Sequence, residues 1–393
     1  MKPELLAPAG DLDKVRLAYH YGADSVYIGG KTLSLRARAS QFDLKLIQEA
    51  TQVAHEKNKK LYVTVNVVPH DEDLELLDEY LSALGKIGVD ALICSDPYVI
   101  DQALKLTAVP IHLSTQFSPT NSALINFWLQ RGVQRVVLAR ELTLAEMRLI
   151  RQHTKMECEV FIHGGMCVSY SGRCTLSNRM TGRDANRGGC AHSCRWKYRL
   201  IRSDDTPPED FWMASKDLET IRFIPDLVDL GIASFKIEGR MKSHMYIAAI
   251  VKAYRALIDD LFTHSLRPFS VYEAIIQKAE NRPRFSGFVE GNPDDSGQIF
   301  TDKKDLPIQN FVGIVRDTIP EKHQAWVETR NAFSPGDDYE VFSPSNEQQS
   351  LRIIDMTSED GTKLSLSNHP LEKVLIQSDI LLSPYDIIRK VVK

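Results

Sequence analysis

The first 240 residues predict an α/β fold, a (β/α)8 TIM-like barrel, and three observations carry that prediction. Short apolar, β-rich runs recur at 4–9, 25–29, 60–67, 91–95, 111–115, 135–139, 157–163 and 234–237, eight in all. Amphipathic stretches fill the intervals between them, so strand and helix alternate as parallel βα units do. The runs read as buried on both faces, which suits a closed parallel sheet wrapped in helices. A doubly wound sheet is the alternative, but no G-x-G-x-x-G turn follows the first strand.

Taken in order, the first run ends at Gly10 and hands over to a helix at 11–21; further helices are read at 44–57, 73–87, 120–131 and 143–153. Several of these end in a glycine just ahead of the next strand, as at Gly22, Gly88 and Gly132. A helix C-cap needs a positive φ there, and glycine adopts it without a Cβ clash. Between the seventh and eighth runs lie the 70 residues 164–233, where a barrel loop and helix need about 20–25. A long excursion on that face is expected to be functional, since barrels carry their chemistry on the loops after the strands. A long helix follows at 242–262, then a stretch rich in proline, glycine and asparagine at 281–305. From there the pattern changes to short alternating strands at 312–316, 325–329, 338–342, 351–356 and 363–366, which predict a small closed β-barrel. The expected domains are therefore 1–305 and 306–393, with the insert 164–233 inside the first.

Composition is that of a soluble globular chain, with 43% hydrophobic and 25% charged residues. No apolar run approaches the roughly 20 residues of a membrane span. The start of the chain lacks the order of a signal peptide, so a cytoplasmic protein with no membrane partner is expected. The net charge of −4 gives no global sign of nucleic-acid binding, so any such surface must be local.

Four of the six cysteines fall in Cys167-x6-Cys174-x15-Cys190-x3-Cys194. Thiolates so clustered in one loop-rich segment suit a metal or an iron–sulfur centre, and glycines on either side let backbone pass close to it. The spacing is neither that of a zinc ribbon nor that of a bacterial ferredoxin, so zinc and iron–sulfur both stay open, as does a set of idle thiols. Cys94 and Cys158 lie in predicted strands and read as small core residues. The same segment is basic: residues 165–202 carry Arg173, Arg179, Arg183, Arg187, Arg195, Lys197, Arg199 and Arg202 against Asp184 alone, 8 − 1 = +7. With Tyr170, Trp196 and Tyr198 among them, these arginines suit phosphate contacts and base stacking. Pairing with acids elsewhere in the fold, or with a small acidic substrate, is the alternative.

Polar residues close the predicted strands, where barrel enzymes keep catalytic groups. They are Asn66 and His70, Ser95 and Asp96, Ser114, Thr115 and Gln116, Arg140 and Glu141, His163, and Lys236, Glu238 and Arg240. The last three alternate and are expected on one face, toward the barrel interior and mouth. His163 reads equally well as a hydrogen-bonded core residue. No H-E-x-x-H helix, G-x-S-x-G elbow or G-x-x-x-x-G-K-[ST] loop is present.

The run Glu159-Val160-Phe161-Ile162-His163-Gly164-Gly165-Met166-Cys167, with Tyr170-Ser171-Gly172-Arg173-Cys174 after it, resembles the signature of the collagenase-like peptidase family U32. Glu4-Leu5-Leu6-Ala7-Pro8-Ala9-Gly10 and Phe235-Lys236-Ile237-Glu238-Gly239-Arg240 resemble that family's ends, so the likeness spans the chain. Arg183-Asp184-Ala185-Asn186-Arg187-Gly188-Gly189-Cys190 is similar to the family's tRNA-uridine hydroxylation branch. That resemblance implies formation of 5-hydroxyuridine at the tRNA wobble position, with prephenate required and a cysteine-held iron–sulfur cluster. It also implies tRNA as a partner and, from related proteins that act in pairs, a homologous subunit or a homodimer. On this reading Cys167, Cys174, Cys190 and Cys194 bind the cluster, and Arg173, Arg179, Arg183, Arg187 and Arg195 bind RNA. His163, Lys236, Glu238 and Arg240 are the catalytic candidates, and Arg36, Asn66, Gln116, Arg140 and Glu141 the substrate-binding ones. Arg36, Arg140 and Arg240 are also the cations that charge alone offers to a dicarboxylate such as prephenate. Two other functions stay open: a metallopeptidase with zinc on the cysteines, and a non-catalytic RNA-binding or assembly subunit with a structural metal.

Overall fold

The computed structural model describes residues 1–35, 40–204, 206–279, 282–300, 311–345 and 349–391. They divide into two compact units, Met1–Ile276 with Arg282–Lys304, and Gln277–Asn281 with Asp305–Lys393. In the first, strands β1 (Glu4–Pro8), β2 (Ser25–Gly29), β3 (Lys60–Val65), β4 (Ala91–Cys94), β5 (Ile111–Leu113), β6 (Arg135–Val137) and β7 (Glu157–Gly165) lie side by side in chain order. Three short strands of the insert follow: β8 (Tyr198–Leu200), β9 (Glu209–Phe211) and β10 (Asp217–Glu219). The next strand, β11 (Ser234–Ile237), pairs in parallel with both β7 and β1 and so closes the expected eight-stranded barrel. A short strand β12 (Arg284–Phe285) extends the sheet beside β10.

Helices α1 (Leu12–His20), α2 (Leu44–Glu56), α3 (Asp71–Leu74), α4 (Leu77–Ile87), α5 (Pro97–Leu106), α6 (Ser122–Leu129) and α7 (Leu144–His153) alternate with β1 to β7. The insert holds α8 (Leu176–Thr181); α9 (Ile224–Asp229) leads into β11, and α10 (His244–Phe262) and α11 (Phe269–Gln277) come after it. Asp11, Asp43, Asp96, Asn121, Thr143 and Ser243 each accept a first-turn N–H and start their helices. Gly22, Gly88 and Gly132 have φ of 106°, 79° and 92°, the positive values expected of them. The helix expected at 73–87 is instead two: Leu76, at ψ 6°, breaks it, and α3 is turned so that its acidic residues meet the insert.

Strand residues alternate between the helix layer and the barrel interior. Leu6, Tyr27, Tyr62, Ala91 and Ile93 form an apolar cluster inside. Beside it lies a charged one. Arg135 reaches Glu4 at 2.9 Å and Glu159 at 3.4 Å, Lys236 reaches Glu159 at 2.8 Å, and the Tyr62 hydroxyl donates to Glu4. In β7 a bulge at Ile162 interrupts the alternation, because Phe161 faces Lys236 while His163 faces Ile237.

The second unit contains β13 (Phe311–Ile319), β14 (Gln324–Thr329), β15 (Tyr339–Phe342), β16 (Gln349–Leu351), β17 (Ile353–Ser358), β18 (Lys373–Ser378) and β19 (Ile387–Lys390). They form one antiparallel sheet in the order β16-β15-β19-β13-β14-β18-β17. Its two edge strands are separated in the chain by Arg352 alone, so the sheet rolls up until its edges meet at that corner. Val315, Val327, Tyr339, Met356 and Ile376 are among the residues it encloses. Among the described residues no ladder joins the two edges. The strand expected at 363–366 is corrected: Lys363 makes only an isolated bridge to Thr357. Its place beside β17 is taken by β18, whose Val374 and Ile376 face the core. Among the described residues no helix is long and apolar enough to cross a membrane.

Candidate functional site

The insert leaves the barrel at the C-terminal end of β7, and its cysteines are held by short local ties. Cys167, the first, is exposed with its sulfur 3.0 Å from the Ser169 hydroxyl. The Asn186 amide grips the backbone of Cys174 from both sides, accepting its N–H at 3.2 Å and donating to its C=O at 3.0 Å. The Cys174 sulfur also accepts the N–H of Leu176 at 3.3 Å. Before Cys190 the chain turns tightly: Gly189 donates to the Asp184 carbonyl, and a Cβ at 189 would collide with the backbone of Asp184. After it, Ala191 N–H meets the Ser177 hydroxyl at 3.1 Å. Tyr198, on β8, donates to the carbonyl of Ser193 beside Cys194. Burial, with the neighbouring Cys167, Cys190 and Cys174, pushes the Cys194 thiol above its ordinary range. The sulfurs are thus mutual neighbours. Even so, among the described residues no group of three or more His, Cys, Asp or Glu side chains is gathered tightly enough to hold one metal ion.

Three ties bind this segment to the barrel mouth. Arg140 donates to the carbonyl of Gly165 at 2.7 Å while its guanidinium stacks on Phe161 at 3.8 Å. Glu141 accepts the N–H of Ser171 at 2.6 Å and its hydroxyl at 3.2 Å. Arg173 donates to the backbone carbonyl of Gln116 at 2.6 Å. A fourth tie runs to α3 and the residues just before it: Arg187 meets Glu72 at 2.6 Å, Asp73 at 2.8 Å and His70 at 3.0 Å, and Val68 N–H donates to the Asn186 carbonyl.

At the mouth, Lys236, Glu238 and Arg240 come together around Tyr27. The Lys236 ammonium lies 4.7 Å from the centre of the Tyr27 ring, and the Tyr27 hydroxyl donates to Glu238 at 3.1 Å. Arg240, buried, donates to Ser34 at 3.1 Å and Thr64 at 3.2 Å, and only a glycine at 29 leaves room for its guanidinium. Strand β11 ends at Ile237, so Glu238 and Arg240 reach the cluster from the turn beyond it and not from the strand. Burial lowers the pKa of Lys236 and, with Glu238 beside it, raises that of Tyr27 well above the usual phenol range. A second group gathers at the ends of β3, β4 and β5: Asn66 donates to the Gln116 side chain at 3.1 Å, Ser114 donates to the same oxygen, and Ser95 donates to the Asn66 carbonyl.

Several expectations shift. The His163 ring is fully buried against Tyr254, 3.3 Å from its hydroxyl, and against Tyr246. The Ile162 bulge sets it against Tyr246 and Tyr254 of α10, and its backbone carbonyl accepts from Glu238 N–H. Arg36 lies outside the described residues. Of the basic insert, Lys197 and Arg199 pair with Asp210, Arg202 with Glu209 and Arg187 with α3. Arg195 packs its guanidinium against Gly165, near Asp217 and Arg282. Arg173, Arg179 and Arg183 are exposed and meet no carboxylate among the described residues. Sequence reasoning passed over Tyr27, Ser34, Thr64 and Asn186. Tyr27 and Thr64 could have been found from strand alternation alone, while the Ser34 and Asn186 contacts come from chain segments far apart in sequence.

The model of peptidase family U32 matches residues 10–299, and that of the peptidase family U32 C-terminal domain matches residues 308–389. A "tRNA hydroxylation protein P1" of Bacillus subtilis (strain 168) is 40% identical over 404 residues, covering 99% of this chain and 95% of that protein. A "tRNA hydroxylation protein P" of Escherichia coli (strain K12) is 35% identical, covering 87% of this chain and 86% of its own length. A 23S rRNA 5-hydroxycytidine synthase of the same bacterium is 36% identical over 80% of this chain and 49% of that protein.

Proposed function

The chain belongs to peptidase family U32, and from that premise we propose that it is an RNA hydroxylase. Its substrate in this reading is the wobble uridine of tRNA, its product 5-hydroxyuridine and its co-substrate prephenate. Relatives named for tRNA hydroxylation along nearly their whole length support this, as does one named for rRNA hydroxycytidine synthesis.

One structural observation carries the reading. The cysteine segment is tied to the barrel mouth through Arg140, Glu141 and Arg173, so a group held by its thiols stands beside the strand-end polar residues. Cys167, Cys174, Cys190 and Cys194 are the ligands we assign to an iron–sulfur cluster. Four thiolates can serve one tetrahedral zinc or a cubane in which each binds a separate iron; the oxidation of a base that the relatives' names describe is why the cubane is assigned. When bound, such a cluster supplies electron transfer. The protein's own groups then have distinct tasks. Arg140 and the buried Arg240 are suited to a dicarboxylate, Asn66 and Gln116 to a base, and exposed Arg173, Arg179 and Arg183 to phosphates.

The test combines two measurements. Protein purified without oxygen is analysed for iron, zinc and acid-labile sulfide, and tRNA from a deletion strain is digested and its nucleosides quantified. The proposal expects iron with sulfide, loss of 5-hydroxyuridine derivatives, and rescue by the wild type but not by Cys174→Ser. One zinc without sulfide, together with unchanged tRNA in a strain lacking paralogues, would put the peptidase and structural-metal readings ahead.

A further inference from the structure

We propose that Gln116 is the residue that distinguishes uracil from cytosine, by presenting a fixed amino group to the 4-position of the target base. The inference rests on the RNA-hydroxylation reading and goes beyond it to the choice of base.

The argument starts from a backbone donor. A peptide N–H can only donate, so the N–H of Leu35, 3.3 Å from the Asn66 Oδ1, fixes which end of the Asn66 amide is oxygen. The Asn66 amino end therefore faces Gln116 and donates to its Oε1 at 3.1 Å. The Ser114 hydroxyl is directed at the same oxygen. With two donors on Oε1, the Gln116 amide is locked and its Nε2 amino group points away from Asn66 and Ser114, with no acceptor for it among the described residues. Its backbone is pinned as well, because Arg173 donates to the Gln116 carbonyl at 2.6 Å.

The direction it faces is the direction of the cysteines. A Cβ built at Gly172 would stand 3.5 Å from Gln116 Nε2, so any longer side chain there would cover the amino group. Gly172 lies between Cys167 and Cys174, so Nε2 faces the cysteine segment. Uracil carries an acceptor, O4, where cytosine carries an amino donor. A fixed –NH2 pairs with the first and confronts the second with another donor, leaving two polar groups unpaired. The 4-position is also bonded to C5, the carbon that a 5-hydroxylation alters. A contact made there holds the reacting atom next to the thiol segment. The amide chain Leu35–Asn66–Gln116 is thus a polarity relay, setting a donor where an unrestrained glutamine would offer either end.

The experiment uses two anticodon stem-loop RNAs, identical except for U or C at the target position and differently labelled. Both are mixed with the full-length protein, and the ratio of bound RNAs is read in one tube, so an unfolded fraction does not alter it. The wild type should favour U by about tenfold, the usual scale for one well-made base contact. Gln116→Glu, which replaces the donor with an acceptor, should erase or invert the ratio; Gln116→Met, which has neither, should bring it near unity. Wild-type preference for U that persists unchanged in both variants overturns the Gln116 assignment and leaves the RNA reading standing. Equal binding of U and C by the wild type also overturns it. Failure of the wild type to bind either stem-loop removes the RNA reading itself.

Discussion

Inside the barrel, Arg135, Glu159 and Lys236 are buried and meet one another and the part-buried Glu4; on the insert, Arg173, Arg179 and Arg183 are exposed and meet no carboxylate among the described residues. Both regions are rich in charge, and they use it differently. The interior set is closed apart from two pairs at its solvent end, Arg135 with Glu157 and Glu4 with Lys60: each cation has an anion within 3.4 Å, and burial keeps water from substituting for Lys236 at Glu159. On the insert, by contrast, the set is open, fastened by Arg187, Glu141 and Asn186, with exposed arginines that meet no carboxylate among the described residues. A closed network specifies a fold, whereas an open one awaits a ligand. If that division is right, interior variants should register mainly in stability and insert variants mainly in binding.

The largest effect is expected at Arg135. Arg135→Met takes from Glu4 and Glu159 the cation they share, leaving Glu159 to Lys236 and Glu4 to Tyr62, and truncating one member of a buried ion network costs on the order of 3–5 kcal/mol. Urea denaturation would read the loss directly. A drop below about 1 kcal/mol would mean that water reaches the interior and that the contrast with the insert is overdrawn.

Acid provides the next test. His112 is buried, and burial lowers its pKa well below the ordinary 6.5. The unfolded chain therefore takes a proton below pH 6.5 that the folded chain refuses, so this contribution is present above that pH and lost as the pH falls. The slope should be about 1.4 kcal/mol per pH unit. Glu4 and Glu159 have lowered pKa values despite burial, through Arg135 and Lys236; their contribution persists above about 4.5 and disappears only below it. His112→Phe should flatten the stability curve between pH 6.5 and 4.5 and leave the steeper fall at lower pH. An unchanged curve would show that His112 is not the group responsible.

On the insert the expected effects are smaller and local. Asn186→Ala removes both amide contacts to the Cys174 backbone and leaves a donor unpaired, a change of about 1–3 kcal/mol confined to that loop. Alkylation of Cys174 in metal-free protein should quicken about tenfold, with the global unfolding midpoint nearly fixed. Equal reactivity in both proteins would mean that something other than Asn186 orders the loop.

How far the sequence exposed each region follows from how local its contacts are. The barrel was legible because strand burial, helix caps and glycines such as Gly88 repeat a pattern within a few residues. The cysteine spacing was legible for the same reason. The β19 strand Ile387–Lys390 was missed because it is short and draws its identity from β13 and β15, each at least 45 residues away. For His163 the sequence left a catalytic and a core reading level, and the buried ring beside Tyr254 follows from a bulge in the β7–β11 register, which no local pattern encodes. The +7 count misled in part because its window closed at Arg202, just before Glu209 and Asp210 fold back on β9 to neutralise three of the cations.

That last point sets up the finest test, since it separates two arginines four residues apart. Arg183 is exposed and meets no carboxylate, whereas Arg187 is held by Glu72 and Asp73. An arginine that contacts a phosphate releases a counterion, so its removal weakens RNA binding two- to fivefold and lowers the slope of log affinity against log salt by about one. Arg183→Ala should show both signs. Arg187→Ala should leave the salt slope alone, because its charge is already compensated, while freeing the loop that carries Asn186 and so raising Cys174 reactivity. The two variants therefore move different observables in a closed and an open part of one segment. If Arg187→Ala lowers the slope as Arg183→Ala does, the α3 carboxylates give way when RNA binds, and the line between structural and binding charge must be drawn outside the insert.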